Sequence, residues 1–140
     1  MVILSIHSTY SQNRVIQGKV IDEWELQPII GANIRINDSI KVGATGIDGC
    51  FQFETSLPVN KLSFGMIGME TADLKLFENC NHIEVIMIFM PYYDFKSSRK
   101  INKIRKKKYK NLPRLRKEAY EKGIFQSPEV CYIQDFLEWD

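Results

Sequence analysis

The sequence predicts an all-β fold over residues 14–90, a sandwich or barrel of short antiparallel strands, followed by a basic, partly helical C-terminal extension over residues 91–140. Seven short runs before residue 90 alternate apolar and polar residues with the period of a strand. Turn residues separate these runs at regular spacing. No helical pattern of about 10–15 residues interrupts them, which argues against a parallel βαβ fold.

Each predicted strand corresponds to one of these runs. Segment 31–38 is the clearest, because Ala32, Ile34 and Ile36 alternate with polar residues, as in a half-buried strand. Segment 82–90 is the most apolar run, and we expect it to lie centrally in a sheet. The predicted strands are the segments 14–22, 31–38, 41–45, 50–55, 61–66, 69–77 and 82–90.

The C-terminal extension carries helix signals. Ser97 or Ser98 predicts a helix N-cap. Pro113 predicts the start of a second helix, and Gly123 predicts its end. The last segment, 127–140, is apolar and aromatic, and we expect it to pack against the β domain.

Charge is divided unevenly along the chain. Residues 1–95 carry 6 Lys/Arg and 11 Asp/Glu, a net charge of −5, whereas residues 96–140 carry 13 and 6, a net charge of +7. This asymmetry predicts either a helix docked on an acidic body or a binding site for an anionic partner. The candidate anion-binding residues are Lys103, Arg105, Lys106, Lys107, Lys108 and Lys110. Their candidate partners are an anionic lipid or lipopolysaccharide surface and, ranked last, nucleic acid.

The sequence predicts no catalytic residue, no metal site and no cofactor. A nucleophile needs a base beside it, and no histidine is placed near Cys50 to serve as that base. His82 follows Cys80 by two residues, but a structural zinc site needs four ligands. We therefore expect a protein that is not an enzyme.

The three cysteines, Cys50, Cys80 and Cys131, show no CxxC spacing. Their odd number leaves at least one thiol unpaired and disfavours a disulfide scaffold, while a single bridge stays open. The N-terminal segment 1–13 has a short apolar start followed by small polar residues, without a basic region before it. We interpret it as either a remnant signal peptide or a disordered N-terminus. No run reaches the length of about 20 apolar residues that a membrane helix needs.

Four ordered motifs between residues 14 and 90 resemble those of the carboxypeptidase regulatory-like domain. The family pattern is G-x-V-x-D, then P-L-x-G-A-x-V, then T-D-x-x-G-x-F, then L-x-F-S-x-x-G-Y. The matching residues are Gly18, Val20 and Asp22, then Pro28, Gly31, Ala32 and Asn33, followed by Ile34, then Thr45, Gly49 and Phe51, then Leu62, Phe64 and Gly68. The chain departs from the pattern at Gly46, where the family has Asp, and at Met69, where it has an aromatic residue.

This resemblance implies a seven-stranded, transthyretin-like (prealbumin-like) β-sandwich. The family is common in exported and outer-membrane-associated proteins of Bacteroidetes, and its members are accessories rather than catalysts. We therefore expect a periplasmic or outer-membrane-associated module of the cell envelope that contacts a protein or a glycan. The turn-forming residues are interpreted as structural. They are Gly18, Pro28, Gly31, Thr45, Asp48, Gly49 and Gly68.

Overall fold

The computed structural model describes residues 13–90 and 96–139 and shows a mostly β protein with two sheets and one helix. The interpretation of the N-terminal segment as a signal remnant concerns residues that, apart from Asn13, lie outside this description. The elements are β1 (Arg14–Asp22), β2 (Asn33–Ile36), β3 (Ile40–Ala44), β4 (Cys50–Thr55), β5 (Lys61–Gly65), β6 (Ala72–Leu76), β7 (His82–Met87), α1 (Ser98–Glu121) and β8 (Tyr132–Gln134).

The strands form a three-stranded sheet, ordered β4-β1-β7, and a five-stranded sheet, ordered β3-β2-β5-β6-β8. Two features differ from the predicted set of seven antiparallel strands. First, β1 pairs with β7 in parallel. Second, β8 comes from the C-terminal extension and pairs antiparallel with β6, so the extension supplies an edge of the larger sheet. Neither feature has a sequence signal, because alternation identifies a strand but not its neighbour.

The main core lies between the two sheets and is built from the inward positions of the alternating runs. Ile34 and Ile36 of β2, for example, are buried, whereas Asn33 and Arg35, which alternate with them, are exposed. The cluster also includes Ile16, Val20, Phe51, Phe53, Leu62, Phe64, Leu74, Ile83, Val85 and Met87. The period-2 pattern therefore determines which face of each strand enters the core.

Close packing explains two of the glycines. Gly18 lies inside β1 rather than in a turn, which corrects its interpretation as a turn residue. A Cβ at this position would lie 1.6 Å from the carbonyl oxygen of Ile83 on β7. Gly49 has a φ of +75° in the β3–β4 turn, and a Cβ there would lie 2.5 Å from the carbonyl oxygen of Val20. Both positions exclude larger residues.

Side chains of two other turn residues satisfy backbone groups. The hydroxyl of Thr45, which is buried, accepts a hydrogen bond from the N–H of Ala32 at 2.9 Å and donates to the carbonyl of Ile29. The carboxylate of Asp48 accepts from the N–H of Cys50 at 3.0 Å. This contact forms an Asx turn ahead of β4 and lowers the pKa of Asp48.

A second apolar cluster lies on the outer face of the three-stranded sheet, beneath α1. It contains Ile21, Leu26, Ile86, Leu115, Ala119 and Phe125. Because α1 covers this face, the central strand β1 is buried on both sides: Val20 enters the main core and Ile21 enters the second cluster. The helix is therefore part of the folded domain rather than an appendage.

The helix is continuous through Pro113, so the prediction of a second helix starting there is wrong. A proline inside a helix removes one backbone hydrogen bond. Arg105 before the proline and Leu115 after it are both buried, and their packing stabilises the helix on either side of Pro113. The predicted ends are confirmed: Ser97 is the N-cap and accepts from the N–H of Lys100, and Gly123 has a φ of +74° just after the helix.

A disulfide joins Cys80, which precedes β7, to Cys131, which precedes β8, with the two Cα atoms 5.4 Å apart. The sequence left a single bridge open, and the structure assigns it. Cys50 is free and exposed. Disulfides of this kind suggest an oxidising, exported compartment. Within residues 13–90 and 96–139, no helix is both long and apolar enough to cross a bilayer.

Candidate functional site

The basic side chains of α1 divide between two faces of the helix. Those on the docked face pair with glutamates of the β domain, and those on the opposite face are exposed to solvent. The spacing of three and four residues along a helix produces this division from a sequence that is basic almost throughout.

The buried pair of Arg105 and Glu70 anchors the N-terminal half of α1. Arg105 is 1% exposed, its Nε donates to a Glu70 carboxylate oxygen at 3.1 Å, and its Nη2 donates to the other oxygen. Tyr109 donates its hydroxyl to the same carboxylate at 2.9 Å. Burial, followed by the charge of Glu70, raises the pKa of Tyr109, so its hydroxyl stays protonated. The indole of Trp139 stacks on the guanidinium, 4.1 Å away.

A second pair joins Lys108 to Glu23, the residue after β1. The ammonium lies 3.4 Å from a Glu23 oxygen and donates to the carbonyl of Phe89 at 3.3 Å. Glu23 also accepts from the N–H of Phe89 at 2.8 Å. The side chains of Lys108 and Glu23 are both largely buried, so these charges belong to the interior of the domain.

A third contact involves Arg116 and Glu84, a carboxylate inside the most apolar strand. Arg116 donates through Nη1 to the Glu84 carbonyl at 2.6 Å, and its Nη2 lies 3.7 Å from the carboxylate. The carboxylate also accepts from the N–H groups of Gln126 and Ser127. Tyr132 donates to the same carbonyl, and burial raises the pKa of Tyr132 to about 12.

These contacts close the outer edge of β7, which is an edge strand of its sheet, so the prediction that this apolar segment lies centrally is wrong. Its carbonyls would otherwise be unpaired, because β7 has β1 on one side and, among the described residues, no strand on the other. Arg116 and Tyr132 donate to the carbonyl of Glu84, and Gln134 donates to that of Ile86 at 3.3 Å. Just beyond the strand, the backbone N–H of Glu70 donates to the carbonyl of Ile88 at 2.8 Å.

The predicted anion-binding residues are split by this arrangement. Arg105 and Lys108 face the protein and are paired with glutamates, so they are not available as the anion-binding residues that the sequence predicts. The physical reason is that each meets a glutamate that would otherwise be buried alone. Lys103, Lys106, Lys107 and Lys110 are exposed and make no hydrogen bond or ion pair with any residue that the structure describes.

Sequence reasoning missed the glutamates Glu23, Glu70 and Glu84 as partners. One signal was present: Glu84 is a charge within the most apolar run of the chain, and buried charges in folded proteins are paired. For Glu23 no sequence signal exists, because it lies in a turn where solvation is the ordinary outcome. Glu70 falls in the predicted strand 69–77, although β6 begins only at Ala72, and nothing in the sequence indicates that a helix would cover it.

A groove of about 760 Å³ lies beside α1, between the helix, β8 and the loop 128–130. Its walls are largely apolar, and Lys106 and Lys110 stand along it on successive turns of the helix. Lys103 and Lys107, which share the exposed face, do not line it. The helix therefore presents two different pairs of lysines, one inside the groove and one outside.

One end of the sandwich exposes several large apolar side chains. The loops β1–β2, β3–β4 and β5–β6 and the segment after β7 all lie where the odd-numbered strands β1 to β7 end. Ile67 is 97% exposed, Ile47 is 86% and Trp24 is 70%. We call this surface the apolar end. It comprises Trp24, Ile30, Ile47, Met66, Ile67 and Met90.

Contacts among the loops make part of the apolar end continuous. Trp24 stacks on Phe89 with the ring centroids 4.0 Å apart. Phe89 pairs with Met69 across a β-bridge, and the N–H of Met90 donates to the carbonyl of Gly68 at 3.0 Å. The segment that follows β7 thus joins the β1–β2 loop to the β5–β6 turn that carries Ile67.

The structure shows no activated nucleophile at Cys50, the free thiol of the described chain. Burial and a hydrogen bond with Asp48 raise the pKa of Cys50, which favours the unreactive thiol over the thiolate. Among the described residues, no cluster of three or more His, Cys, Asp or Glu side chains could hold a metal ion.

No protein-family model and no curated protein matches this chain. Among solved structures, the chain is similar to one chain of a cryo-EM structure of an E. coli P pilus tip assembly intermediate, PapC-PapD-PapK-PapG, in its second conformation. The similarity has a TM-score of 0.41 and 14% sequence identity, and it covers 60% of this chain. It spans 10% of that chain, and at this level it identifies neither a family nor a function.

Proposed function

We propose that this protein is a non-enzymatic accessory module of the cell envelope that acts by contact with another protein through its apolar end. The observation that carries the proposal is the exposure of Trp24, Ile47 and Ile67 on separate loops at one end of the sandwich. Part of this surface is continuous, from Trp24 through Phe89 to the β5–β6 turn, and contiguous exposed apolar surface marks interaction sites. The rigid sheets behind the loops hold the patch in place.

Two further observations support the envelope assignment. The Cys80–Cys131 disulfide fits an oxidising compartment. The sequence motifs resemble the carboxypeptidase regulatory-like domain, whose transthyretin-like members are common in exported, periplasmic and outer-membrane-associated proteins of Bacteroidetes. Because that resemblance covers residues 14–90, it bears on the sandwich that carries the loops.

Site-specific photo-crosslinking in the native cells tests the partner. A photoreactive phenylalanine analogue is placed at Ile67 or Ile47, and in the control at Leu57, an exposed apolar residue at the opposite end of the sandwich. We expect a discrete protein adduct from the first two positions and none from Leu57. Equal adducts from all three positions, or none from Ile67 and Ile47, contradict the proposal. Adducts with polysaccharide alone would identify the partner as a glycan instead of a protein.

Thiol trapping before cell lysis tests the compartment. A membrane-permeant alkylating reagent should modify Cys50 and leave Cys80 and Cys131 unmodified, as analysed by mass spectrometry. Alkylation of all three thiols in the native cells overturns the assignment to an oxidising compartment.

A second function, binding to an anionic lipid surface, is favoured by the exposed face of α1. Lys103, Lys106, Lys107 and Lys110 have no protein partner among the described residues, and each basic residue near an anionic membrane contributes about 1 kcal/mol. Nucleic acid would use the same charges, but it is not expected in an envelope compartment.

Co-sedimentation with phosphatidylglycerol vesicles at increasing salt tests this second function. The Lys103→Gln/Lys107→Gln variant should bind less than the wild type, with a shallower salt dependence. The control variant, Arg35→Gln/Lys41→Gln, removes the same number of exposed charges from the opposing strands β2 and β3. Equal losses in the two variants, or binding that salt does not weaken, contradict an interface on α1.

A further inference from the structure

The groove beside α1 has the size and lining of a small-molecule site. Its volume of about 760 Å³ falls in the range of about 300–1,000 Å³ that is typical of ligand pockets. Apolar and aromatic side chains form most of its walls, with Ile86 of β7 contributing from the sheet. They include Leu112, Pro113, Val130, Tyr132 and Phe136.

Two cations without a protein partner in the described chain lie along the groove. Lys106 and Lys110 are four residues apart on α1, so their side chains project from the same side of the helix. Both are exposed, and neither contacts a carboxylate among the described residues. Their ammonium groups are available to bind an anion at the mouth of the groove.

Arg116 adds a buried positive charge beside the groove. The residue lines the groove and is 7% exposed. Its two Nη atoms donate to the carbonyls of Glu84 and Glu129 and to the hydroxyl of Tyr132. Its Nε is the buried side-chain polar atom that lacks a hydrogen-bond partner in the described part of the chain. Because this Nε is closed off from solvent, Arg116 acts on the groove through its positive charge rather than as a donor to a ligand.

The remaining charged groups near the groove leave a net positive charge. The carboxylate of Glu84 already faces Arg116, and Glu129 is an exposed residue of the loop that lines one wall. The three cations therefore face two carboxylates. Tyr132 is neutral at physiological pH, and burial raises its pKa further, to about 12. It therefore adds no charge to the walls, and the helix side of the mouth is cationic.

We propose that this groove binds a single-chain amphiphilic anion, namely a long-chain carboxylate. The apolar chain lies along the walls formed by α1 and β8. The carboxylate lies at the mouth between the ammonium groups of Lys106 and Lys110. An uncharged hydrocarbon would not pair with the two lysines, and a compact anion would leave the apolar walls exposed to solvent. This site is separate from the apolar end.

Displacement of a fluorescent probe tests the proposal on the full chain. The probe is 1-anilinonaphthalene-8-sulfonate, which combines aromatic rings with one anionic group and brightens in apolar sites. We expect saturable probe binding and competitive displacement by dodecanoate below its micellar concentration. Dodecanol lacks the charge and butanoate lacks the chain, and both should compete about tenfold more weakly or worse.

A matched pair of double variants locates the site on α1. Lys106→Gln/Lys110→Gln removes the two lysines that line the groove and should weaken dodecanoate binding about tenfold or more. Lys103→Gln/Lys107→Gln removes two lysines from the same exposed face, outside the groove, and should leave binding within about twofold. Val130→Glu, which places a negative charge on an exposed wall residue, should also reduce binding.

Several results overturn the proposal. They are an absence of saturable binding, equal affinity for dodecanoate and dodecanol, and equal losses in the two double variants. Binding to phosphatidylglycerol vesicles without binding to free dodecanoate would also overturn it, and would assign the lysines to a membrane surface instead. A failure here leaves the photo-crosslinking result at Ile67 unaffected, so the two ideas are tested independently.

Discussion

The two faces of α1 carry the same kinds of residue in opposite environments. On the docked face, Arg105 and Arg116 are buried and bonded to glutamates of the β domain. On the outer face, Lys103 and Lys107 are exposed and without partners among the described residues. The total charge of a basic segment therefore does not measure its capacity to bind an anion, because part of that charge neutralises the protein's own carboxylates.

The largest expected effect on stability comes from a substitution on the docked face. Arg105→Met leaves Glu70 buried without its cation, which costs about 3–5 kcal/mol in the free energy of unfolding. Urea denaturation followed by circular dichroism measures the change. The control is Lys107→Met on the outer face, which should alter stability by about 0.5 kcal/mol or less. If both variants lose the same stability, the distinction between the two faces does not hold.

The disulfide supports the docked face, because it fixes β8 and the C-terminal residues that pack against that face. The Cys80→Ser/Cys131→Ser variant should lose about 2–4 kcal/mol of unfolding free energy, since the bridge closes a loop of 51 residues. Chemical denaturation of oxidised wild type and variant measures the loss. Cys50→Ser, which removes the free thiol, should have no comparable effect. A variant as stable as the wild type would show that the docking of α1 alone holds the tail.

A smaller effect concerns alkaline pH. Burial raises the pKa of Tyr132 from an ordinary value of 10.0 to about 12, and it raises that of Tyr109 in the same direction. A raised pKa means that the folded state holds its proton more tightly than the unfolded state. The stabilisation is therefore fully present below pH 10 and is lost as the pH rises towards 12.

Unfolding free energies measured between pH 9 and 12 (roughly the span that the raised phenol pKa affects) check this effect. The unfolding free energy of Tyr132→Phe should decrease less steeply with pH than that of the wild type. The unfolding free energy of Tyr120→Phe, which changes an exposed position on α1, should decrease with the wild-type slope. Absorbance at about 295 nm reports phenolate formation directly. Parallel curves for wild type and Tyr132→Phe would mean that the phenol of Tyr132 contributes nothing to the pH dependence of folding.

The smallest effect is expected on the outer face. Lys103→Gln/Lys107→Gln should change the unfolding free energy by about 0.5 kcal/mol or less, because exposed charges without partners contribute little to folding. The same variant weakens anionic-vesicle binding if the outer face is an interface. Unchanged stability with reduced vesicle binding would separate the function of this face from folding. A large loss of stability would mean that the outer lysines have a structural role.

The strands could be predicted because their signal is local. The alternation of Ile34 and Ile36 with polar neighbours, and the apolar run around Val85, mark strands in any arrangement. The ends of α1 at Ser97 and Gly123 could be predicted for the same reason, since caps are made by residues near the helix ends.

What could not be predicted depends on residues far apart in the sequence. The pairing of Cys80 with Cys131, the parallel register of β1 on β7 and the bond between Arg105 and Glu70 all require the fold to bring distant residues together. The continuity of α1 through Pro113 is likewise set by packing, which overrides the local preference of proline. The groove combines residues from α1 with residues of β8, so its lining has no sequence motif.

The closed outer edge of β7 has a consequence for self-association. The segment 82–90 is rich in isoleucine, valine and other apolar residues, a composition that favours fibril-like stacking when the backbone of such a strand is unpaired. In the folded chain, Arg116, Tyr132 and Gln134 occupy its carbonyls with side chains, which cannot propagate a sheet. Detachment of α1 and β8 would uncover a template for polymerisation. The C-terminal extension thus prevents this apolar strand from pairing with the same strand of further copies of the chain.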